Sequence, residues 1–202
     1  MKEYKLPIGC DVPETIILAD GDFPSHPLAL EWLRQCPYVV CCDGAANTYI
    51  RSGRMPEAIV GDGDSLLPDI KERYASLIHS EAEQETNDLS KAFRFCLSQE
   101  RKRITIMGAT GKREDRTIGN VSLLADYMEQ AEVSMMTDYG IFVPIREDSM
   151  FESYIGQQIS VFNMNSTALS AEGLAYPLSV FTNWWQGTLN EALARHFIIR
   201  TE

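Results

Sequence analysis

The feature that most constrains this fold is a regular alternation of short apolar runs with amphipathic segments between residues 15 and 137. Short apolar runs bounded by turn residues are typical of strands that are buried on both faces of a sheet. Strands that alternate with helices predict a parallel sheet covered by helices on both sides. We therefore expect a Rossmann-like three-layer α/β domain, mostly parallel, over residues 1–137.

The clearest predicted helix begins near residue 88. Apolar residues recur in it at intervals of three and four, as on one buried helix face. They are Leu89, Ala92, Phe93, Cys96 and Leu97. Thr86 or Asn87 is a candidate N-cap, and Asp88 falls in the first turn, where the helix dipole favours negative charge.

The pattern changes after residue 137. Short β-prone runs at residues 140–144, 158–162, 176–180 and 194–200 are separated by turn-rich segments, and no strong helical period is present. This pattern is typical of a small all-β domain. We expect a sandwich-like domain over residues 138–202.

Composition narrows the possible partners and the compartment. The net charge of −11 argues against a nucleic-acid surface, which needs clustered basic residues. No apolar run has the length of a membrane span, and the N-terminal residues lack a signal-peptide core. The five cysteines form no CxxC pair and no zinc-like spacing, so we expect reduced thiols and a cytoplasmic location.

Acidic residues and glycines follow several of the predicted strands. Ligands of open α/β sheets bind beyond the carboxyl ends of the strands. The residues at these positions are Asp20, Asp43, Asp62, Asp64 and Gly108. Their placement predicts a functional site at that edge of the sheet.

Asp62 and Asp64 are candidate metal ligands. They alternate with glycines directly after an apolar run, in Val60-Gly-Asp-Gly-Asp-Ser65. In extended backbone, residues two apart point the same way and lie about 6–7 Å apart. Two such carboxylates suit Mg²⁺, which prefers oxygen ligands and keeps phosphates and waters in its shell. The alternative is a polar turn that closes the strand.

The segment from Gly108 to Asp115 is a candidate phosphate-binding loop. It follows a predicted strand and opens a helix, and main-chain N–H groups at a helix start can hold phosphate. It is not a Walker A motif, because two residues separate its glycines and Arg113 follows its lysine. Arg113 has a planar fork that matches phosphate oxygens. The alternative for this segment is a simple glycine-rich turn between a strand and a helix. Asp43, in another segment, likewise has an alternative role, as the N-cap of the helix that follows it.

Two adjacent tryptophans, Trp184 and Trp185, lie in a turn-rich segment. Adjacent residues of a strand cannot both face one core. We therefore expect one of the indole rings to be available as a stacking platform for a flat or cationic ligand.

Four segments, in order, resemble the motifs of the thiamin pyrophosphokinase family. They are Cys42-Asp-Gly-Ala-Ala-Asn47, Val60-Gly-Asp-Gly-Asp-Ser65, Gln84-Glu-Thr-Asn-Asp-Leu89, and Gly108-Ala-Thr-Gly-Lys-Arg-Glu-Asp115 followed by Asn120. Gly173-Leu-Ala-Tyr-Pro-Leu178 and Gly187-Thr-Leu-Asn190 resemble two further segments of the family. The likeness covers roughly residues 15–200, and four motifs in order are far more specific than any one of them.

The resemblance implies an enzyme that uses Mg²⁺ to transfer the pyrophosphoryl group of ATP to the hydroxyl of thiamine, releasing AMP. It also implies a homodimer with sites at the subunit interface. The implied catalytic and metal-binding residues are Asp43, Asp62, Asp64 and Asp88, with Arg113 as a further catalytic residue. The implied nucleotide site consists of Ser65, Gln84, Gly108, Thr110, Gly111, Lys112, Arg113 and Asp115. The implied thiamine site consists of Thr188, Asn190 and a tryptophan, for which we take Trp185.

Three residues depart from the family's pattern. Lys112 replaces the second of two adjacent glycines, Arg116 replaces a histidine, and Leu189 replaces a serine. The two basic residues are compatible with phosphate binding, whereas Leu189 removes a possible hydrogen bond from the thiamine pocket.

Two other functions account for part of the pattern. In a nucleotide-sugar transferase, an Asp-x-Asp after a strand also holds a metal diphosphate, but this leaves the loop at Gly108 and the β domain unexplained. A non-catalytic nucleotide- or thiamine-binding module would need the cavity without the aspartate-held metal.

Overall fold

The computed structural model describes residues 1–81, 83 and 85–202 of the chain. The chain divides into two compact units, one formed by Gly9–Pro144 and the other by Met1–Ile8 together with Ile145–Glu202. The strands are β1 (Lys2–Tyr4), β2 (Thr15–Leu18), β3 (Val39–Cys42), β4 (Ala58–Gly61), β5 (Ile78–Ser80), β6 (Arg103–Met107), β7 (Glu132–Met136), β8 (Ile141–Phe142), β9 (Ser149–Glu152), β10 (Gln158–Ile159), β11 (Leu169–Glu172), β12 (Asn190–Glu191) and β13 (His196–Thr201). The α-helices are α1 (Pro27–Gln35), α2 (Ala45–Arg51), α3 (Pro68–Arg73), α4 (Asp88–Ser98) and α5 (Glu114–Tyr127).

The larger unit contains a seven-stranded sheet in the order β5-β4-β3-β2-β6-β7-β8. Six strands run parallel, and β8 pairs antiparallel with β7. From β2 the chain adds strands on one side as far as β5, and then returns through α4 to add β6 on the other side of β2. The carboxyl ends of β2 and β6 therefore form a topological switch point, where such sheets bind ligands.

Helices cover both faces of this sheet, which confirms the predicted three-layer fold. Alternate strand residues point to opposite faces. Ile17, Val40 and Val60 pack against buried residues of α4 and α5. Ile16 and Val39 belong to the opposite core, to which α1, α2 and α3 contribute. The apolar runs in the sequence arise because both faces of each central strand are buried.

The smaller unit is built from short strands. One sheet has the order β1-β9-β13-β11, and a two-stranded sheet joins β10 to β12. Tyr4 of β1 stacks on Phe151 of β9 at 4.7 Å between ring centroids, and Phe151 stacks on Phe197 of β13 at 4.9 Å. Phe197 and Ile199 anchor the unit's small core. The predicted second, smaller β domain is thus present.

The chain boundaries of the two units differ from the predicted division into residues 1–137 and 138–202. The first eight residues belong to the smaller unit because β1 pairs in parallel with β9. Residues 138–144 belong to the larger unit because β8 turns back on β7, with Met136 opposite Ile141. These pairings join segments whose local patterns do not reveal which sheet they enter.

The individual strands of the smaller unit were predicted less well than those of the seven-stranded sheet in the larger unit. The runs at residues 158–162 and 194–200 overlap β10 and β13. The predicted strand at residues 176–180 is wrong, because the main chain of Tyr176 bonds to the side chain of Asn190. Strands β9 and β11 were not predicted, since each has only four residues, and β9 has one fully buried residue while β11 has none.

In the part of the chain that the structure describes, no helix has the length and apolar character needed to cross a bilayer. All five cysteines are free thiols, and Cys41, Cys42 and Cys96 are buried in the cores of the larger unit.

Candidate functional site

Asp43 is the most constrained acidic residue at the carboxyl edge of the sheet. It follows β3 directly, has a left-handed φ of 30°, and is 4% exposed. Its Oδ2 accepts a hydrogen bond from the Ser65 N–H at 3.0 Å, whereas its buried Oδ1 has no hydrogen-bond partner among the described residues. Burial raises the pKa of this carboxyl, and the nearby charges of Asp62 and Asp88 raise it further. A buried, partnerless carboxylate oxygen marks a place for a bound cation or donor.

Asp43 and Asp88 meet over the end of β4. A Cβ added at Gly61 would lie 2.8 Å from the Asp43 Cβ and 3.4 Å from the Asp88 Cγ. Only glycine leaves room for both side chains at this point. Gly61 thus allows the carboxylates of Asp43 and Asp88, which come from different strand–helix connections, to approach each other.

The two aspartates of that segment have different surroundings. Asp62 lies beside Asp43, and its Oδ1 accepts a hydrogen bond from the Asp64 N–H at 3.1 Å. Asp64 is exposed and lines a surface pocket with Leu66 and Lys71. The structure therefore groups Asp43, Asp62 and Asp88, while Asp64 lies on the adjoining turn.

The donor set of this acidic group fits a hard cation. Its side chains offer oxygen ligands alone, and no described residue forms a hydrogen bond to the Oδ1 of Asp43. Among the described residues, no three His, Cys, Asp or Glu side chains are arranged to hold a metal ion by themselves. Mg²⁺ typically takes one or two protein carboxylates and completes its shell with water and substrate phosphates, so an incomplete protein shell is compatible with it.

Ser65 belongs to the site through its main chain. Besides its N–H bond to Asp43, its carbonyl accepts a hydrogen bond from Asn47 Nδ2 at 2.8 Å. Asn47 Oδ1 accepts from the Leu67 N–H at 3.0 Å. Asn47 therefore fixes the turn that carries the N–H bound by Asp43, a role that its place in the Cys42–Asn47 segment did not reveal.

Lys91 was not predicted from the sequence as a site residue. Only 3% of it is exposed, and its Nζ lies 3.4 Å from Asp88 Oδ1. Burying an ammonium is costly unless a carboxylate compensates it. The available signal was its position three residues after Asp88, on the same face of α4.

The loop after β6 packs tightly on the loop after β2, at the switch point of the sheet. The Gly21 N–H donates to the Gly108 carbonyl at 2.6 Å, and the Asp22 N–H donates to the Thr110 carbonyl at 2.8 Å. A Cβ at Gly111, where φ is 78°, would collide with the carboxylate of Asp22. Gly108 and Gly111 are thus required because a side chain at either position would collide with the loop after β2.

Lys112 crosses the same switch point. It adopts a left-handed φ of 59°, a conformation that glycine would adopt without strain. Its Nζ lies 3.0 Å from the Asp20 carbonyl and 3.1 Å from Asp20 Oδ1. Asp20 was recognised in the sequence as a strand-end acid, but its pairing with Lys112 was missed because the two are far apart in sequence.

Arg113 and Asp115 form an exposed pair at the start of α5. Arg113 donates from Nε to Asp115 Oδ1 at 3.0 Å and from Nη2 to Oδ2 at 2.6 Å. This pairing raises the pKa of Arg113 and lowers the pKa of Asp115. The two predicted phosphate-binding side chains are therefore engaged with each other. Gln84 lies outside the described residues.

The predicted thiamine-site residues lie around a short 3-10 helix, Trp184–Gly187, in the smaller unit. Trp185 is 70% exposed, and Trp184 packs edge-on against Phe162 with 6.2 Å between ring centroids. Thr188 Oγ1 donates to the Trp185 carbonyl at 2.7 Å. The exposed indole of Trp185 has the character of a stacking surface, and the hydroxyl of Thr188 supports its backbone.

Asn190 is buried, in contrast to these neighbours. Its Oδ1 accepts from the N–H groups of Tyr176 at 3.0 Å and Glu191 at 2.9 Å, and its Nδ2 donates to the Tyr176 carbonyl at 2.8 Å. The amide group therefore ties the loop after Trp185 to the segment at Tyr176. Within the described chain its polar atoms serve the backbone of the unit.

Two family models match the chain in succession. The model described as the thiamin pyrophosphokinase catalytic domain matches residues 29–136, and the model described as the substrate-binding domain matches residues 140–202. Their boundary falls between β7 and β8, a few residues before the division between the two units.

Curated plant proteins are related to the chain over part of their length. Thiamine pyrophosphokinase 1 of Oryza sativa subsp. japonica is 29% identical over an alignment that covers 52% of this chain and 49% of the rice protein. Thiamine pyrophosphokinase 2 of Arabidopsis thaliana is 30% identical, covering 49% of this chain and 46% of the relative. The chain spans about half the length of the curated relatives it matches.

Solved structures share the fold over nearly the whole chain. Yeast thiamin pyrophosphokinase superposes with a TM-score of 0.79 at 17% identity, covering 100% of this chain and 88% of that one. The enzyme from Candida albicans gives a TM-score of 0.73 at 18% identity, covering 99% and 89%. At these identities the similarity establishes the fold. Since the two family models together match residues 29–136 and 140–202, the chain belongs to the thiamin pyrophosphokinase family.

Proposed function

We propose that this protein transfers the pyrophosphoryl group of ATP to the hydroxyl of thiamine and forms thiamine diphosphate and AMP. In this reaction the thiamine oxygen attacks the β-phosphorus in line, the bond from that phosphorus to the oxygen of the departing AMP breaks, and the hydroxyl proton passes to a base. The observation that carries the proposal is the succession of two family matches over a chain in which Asp43 and Asp88 converge beyond the carboxyl ends of β3 and β4.

Asp43, Asp62, Asp64 and Asp88 form the proposed metal and catalytic group. Mg²⁺ held by these carboxylates would neutralise phosphate charge, which is the main requirement of phosphoryl-type transfer. The partnerless Oδ1 of Asp43 supports a place for that cation. Lys91 contributes a fixed positive charge beside Asp88, which limits repulsion within the group while no ligand is bound.

The loop after β6 is the proposed nucleotide site. The backbone of Gly108, Thr110 and Gly111 would hold phosphate oxygens, and Lys112 and Arg113 would supply positive charge. Asp115 orients Arg113 through its paired hydrogen bonds. Ser65 and Gln84 complete the proposed site, as the family resemblance implies.

Trp185, Thr188 and Asn190 are the proposed thiamine-site residues. An exposed indole face attracts a flat cation such as the thiazolium ring. Asn190 serves this site by fixing the loop, because its amide is fully used by main-chain groups. The acidic group would also favour the cationic substrate.

We further propose that the protein is a cytoplasmic homodimer with its sites at the subunit interface. The free, buried thiols are compatible with a reducing compartment. Light scattering should give twice the mass of the 22.7 kDa chain. A shared site predicts that mixing inactive Asp64→Asn chains with Trp185→Ala chains produces some sites with the wild-type KM for thiamine, which neither variant shows alone, whereas a monomeric mass would contradict the arrangement.

The reaction is tested by incubating the protein with ATP, thiamine and MgCl₂ and separating the products. We expect equal amounts of AMP and thiamine diphosphate, and no product when EDTA is in excess. Formation of ADP would indicate a simple kinase or an ATPase. Nucleotide binding without turnover would indicate a binding module, and either result would reject the proposal.

A further inference from the structure

Two asparagines link the acidic end of α4 to the loop after β6. Asn87 is the N-cap of α4, and its Oδ1 accepts from the Ser90 N–H at 2.9 Å. Its Nδ2 donates to Asn120 Oδ1 at 3.2 Å. Asn120, on α5, donates from Nδ2 to the Ala109 carbonyl at 2.8 Å. Three successive hydrogen bonds therefore connect Ser90 to Ala109, and the last two of them join Asn87, the residue before Asp88, to the residue after Gly108.

The ends of this chain determine the direction of every bond in it. The Ser90 main-chain nitrogen is only a donor, so the amide oxygen of Asn87 must face it. The Ala109 carbonyl is only an acceptor, so the amide nitrogen of Asn120 must face it. The remaining nitrogen of Asn87 and oxygen of Asn120 then face each other as donor and acceptor. Both side chains are amides, the group that can accept at one end and donate at the other.

The Asn87–Asn120 pair joins the part of the proposed site that would bind the metal to the part that would bind phosphate. Asp88, next to Asn87, belongs to the acidic group, and Ala109 lies in the loop that would hold phosphate oxygens. Ala109 is 4% exposed, so its carbonyl has little access to water and depends on the amide of Asn120.

We propose that the Asn87–Asn120 pair is a positioning device that sets the distance between the acidic group and the phosphate loop, so that a metal-bound nucleotide can contact both at once. This inference rests on the proposed function. Neither asparagine need touch the substrate. Because transfer depends on alignment, a displacement of about 1 Å can lower turnover by about a hundredfold.

Two substitutions break the link with little other damage. Asn87→Ser keeps a side-chain oxygen that can cap α4, so the helix start is preserved while the donor to Asn120 is lost. Asn120→Ala removes both bonds of the second amide. Ser122→Ala is the matched control, since Ser122 is exposed on the same helix as Asn120 and its hydroxyl donates to the Gly119 carbonyl within its own helix.

The test measures steady-state turnover, the dissociation constant of Mg-ATP by calorimetry, and thermal unfolding for the two single variants, the double variant and the control. We expect each single variant to lose about ten- to a hundredfold in kcat and several-fold in Mg-ATP affinity. The double variant should be no worse than the poorer single one, because both changes break the same connection. The midpoint of unfolding should shift little for Asn87→Ser and for Ser122→Ala.

Losses that multiply in the double variant would overturn the proposal, because they would show that the two residues act independently. Wild-type kcat and Mg-ATP affinity in Asn87→Ser would overturn it as well. Calorimetry with Mg-ATP alone separates this inference from the proposed reaction. If the wild-type protein bound Mg-ATP but formed no thiamine diphosphate, the reaction would be rejected, and the non-additive loss of nucleotide affinity would still decide the role of the pair.

Discussion

The acidic edge of the larger unit and the tryptophan loop of the smaller unit are built in opposite ways. Asp43 is almost fully buried, and a main-chain N–H and a glycine at position 61 fix its place. Trp185 is largely exposed, although the loop that carries it is held by hydrogen bonds at Thr188 and Asn190.

The two regions differ in burial because charged and uncharged side chains need different support. Carboxylates repel one another, so they converge only where a rigid sheet and a compensating cation hold them together. An indole carries no charge and needs only a fixed backbone to present its face. Substitutions at the acidic edge should therefore alter both turnover and stability, whereas truncation of the exposed Trp185 ring should alter substrate affinity and leave stability nearly unchanged.

The largest expected effect is on turnover at the acidic edge. Asn in place of Asp43 keeps the volume and the hydrogen bond to Ser65 but removes the charge. We expect kcat of the Asp43→Asn variant to fall by about a thousandfold, as when one group of a preorganised electrostatic site is lost. The product assay measures this loss, and Asp69→Asn, an exposed change at the start of α3, serves as the control. Turnover within tenfold of wild type would remove Asp43 from the catalytic group.

The second prediction concerns the buried cation. Asp88→Asn leaves the Lys91 ammonium without its carboxylate, and we expect a loss of about 2 kcal/mol in the free energy of unfolding in urea. Adding Lys91→Met should restore most of that stability, because the unpaired buried ammonium is then removed, but should not restore turnover. If stability stayed low in the double variant, the ion pair would not be its source.

At the tryptophan loop, Trp185→Ala should raise KM for thiamine about tenfold, which corresponds to about 1.4 kcal/mol and lies within the range of a cation–π contact. The midpoint of thermal unfolding should stay nearly unchanged, because most of the ring is exposed. Trp184→Ala is the comparison, since that ring packs against Phe162 and its loss should lower stability instead. The reverse assignment of the two effects would show that Trp184 carries the substrate contact.

The raised pKa of Asp43 makes its contribution to the stability of the acidic edge depend on pH. This pKa is raised in the folded protein, so the folded state binds the proton more tightly than the unfolded chain. The contribution of Asp43 to stability is therefore most favourable below about pH 4 and decreases as the pH rises through its folded pKa. Asp43→Asn should thus stabilise the protein at pH 7, and this gain should vanish in acid. A constant difference between pH 4 and pH 7 in chemical unfolding experiments would contradict this.

The smallest effect is expected at Leu189, which has a left-handed φ of 59° and is 79% exposed. Glycine adopts this conformation without strain, so Leu189→Gly should raise the free energy of unfolding by about 0.5 kcal/mol. Leu193→Gly, on an exposed leucine without a left-handed φ, should be neutral or destabilising. A lower unfolding midpoint for Leu189→Gly would mean that the leucine side chain stabilises the loop.

Much of the acidic edge was predictable because parallel strands end at one edge of the sheet. Asp43, Asp62 and Asp88 follow strands or open helices, and the apolar periodicity located those elements to within a few residues. The same rule could not identify Lys91 as the counter-ion of Asp88, since a lysine on a helix is usually solvated. It also missed the pairing of Asp20 with Lys112, which depends on the crossover that brings β6 beside β2.

The smaller unit was less predictable. Its strands are short and half exposed, so the alternation of apolar residues is weak, and the run at residues 176–180 was wrongly taken for a strand. Asn190 was expected in a binding pocket, yet the structure uses its amide to support the main chain at Tyr176.

The sequence alone determined the layered α/β fold, the β-rich second part, and the set of motifs that resemble the family, because these depend on local periodicity and residue type. Only the tertiary structure decided which strand-end carboxylates meet, where β1 and β8 pair, and how Asn87 and Asn120 join two loops. These features depend on contacts between residues that are distant in the chain, and hydrogen-bond direction and burial there are properties of the packed molecule.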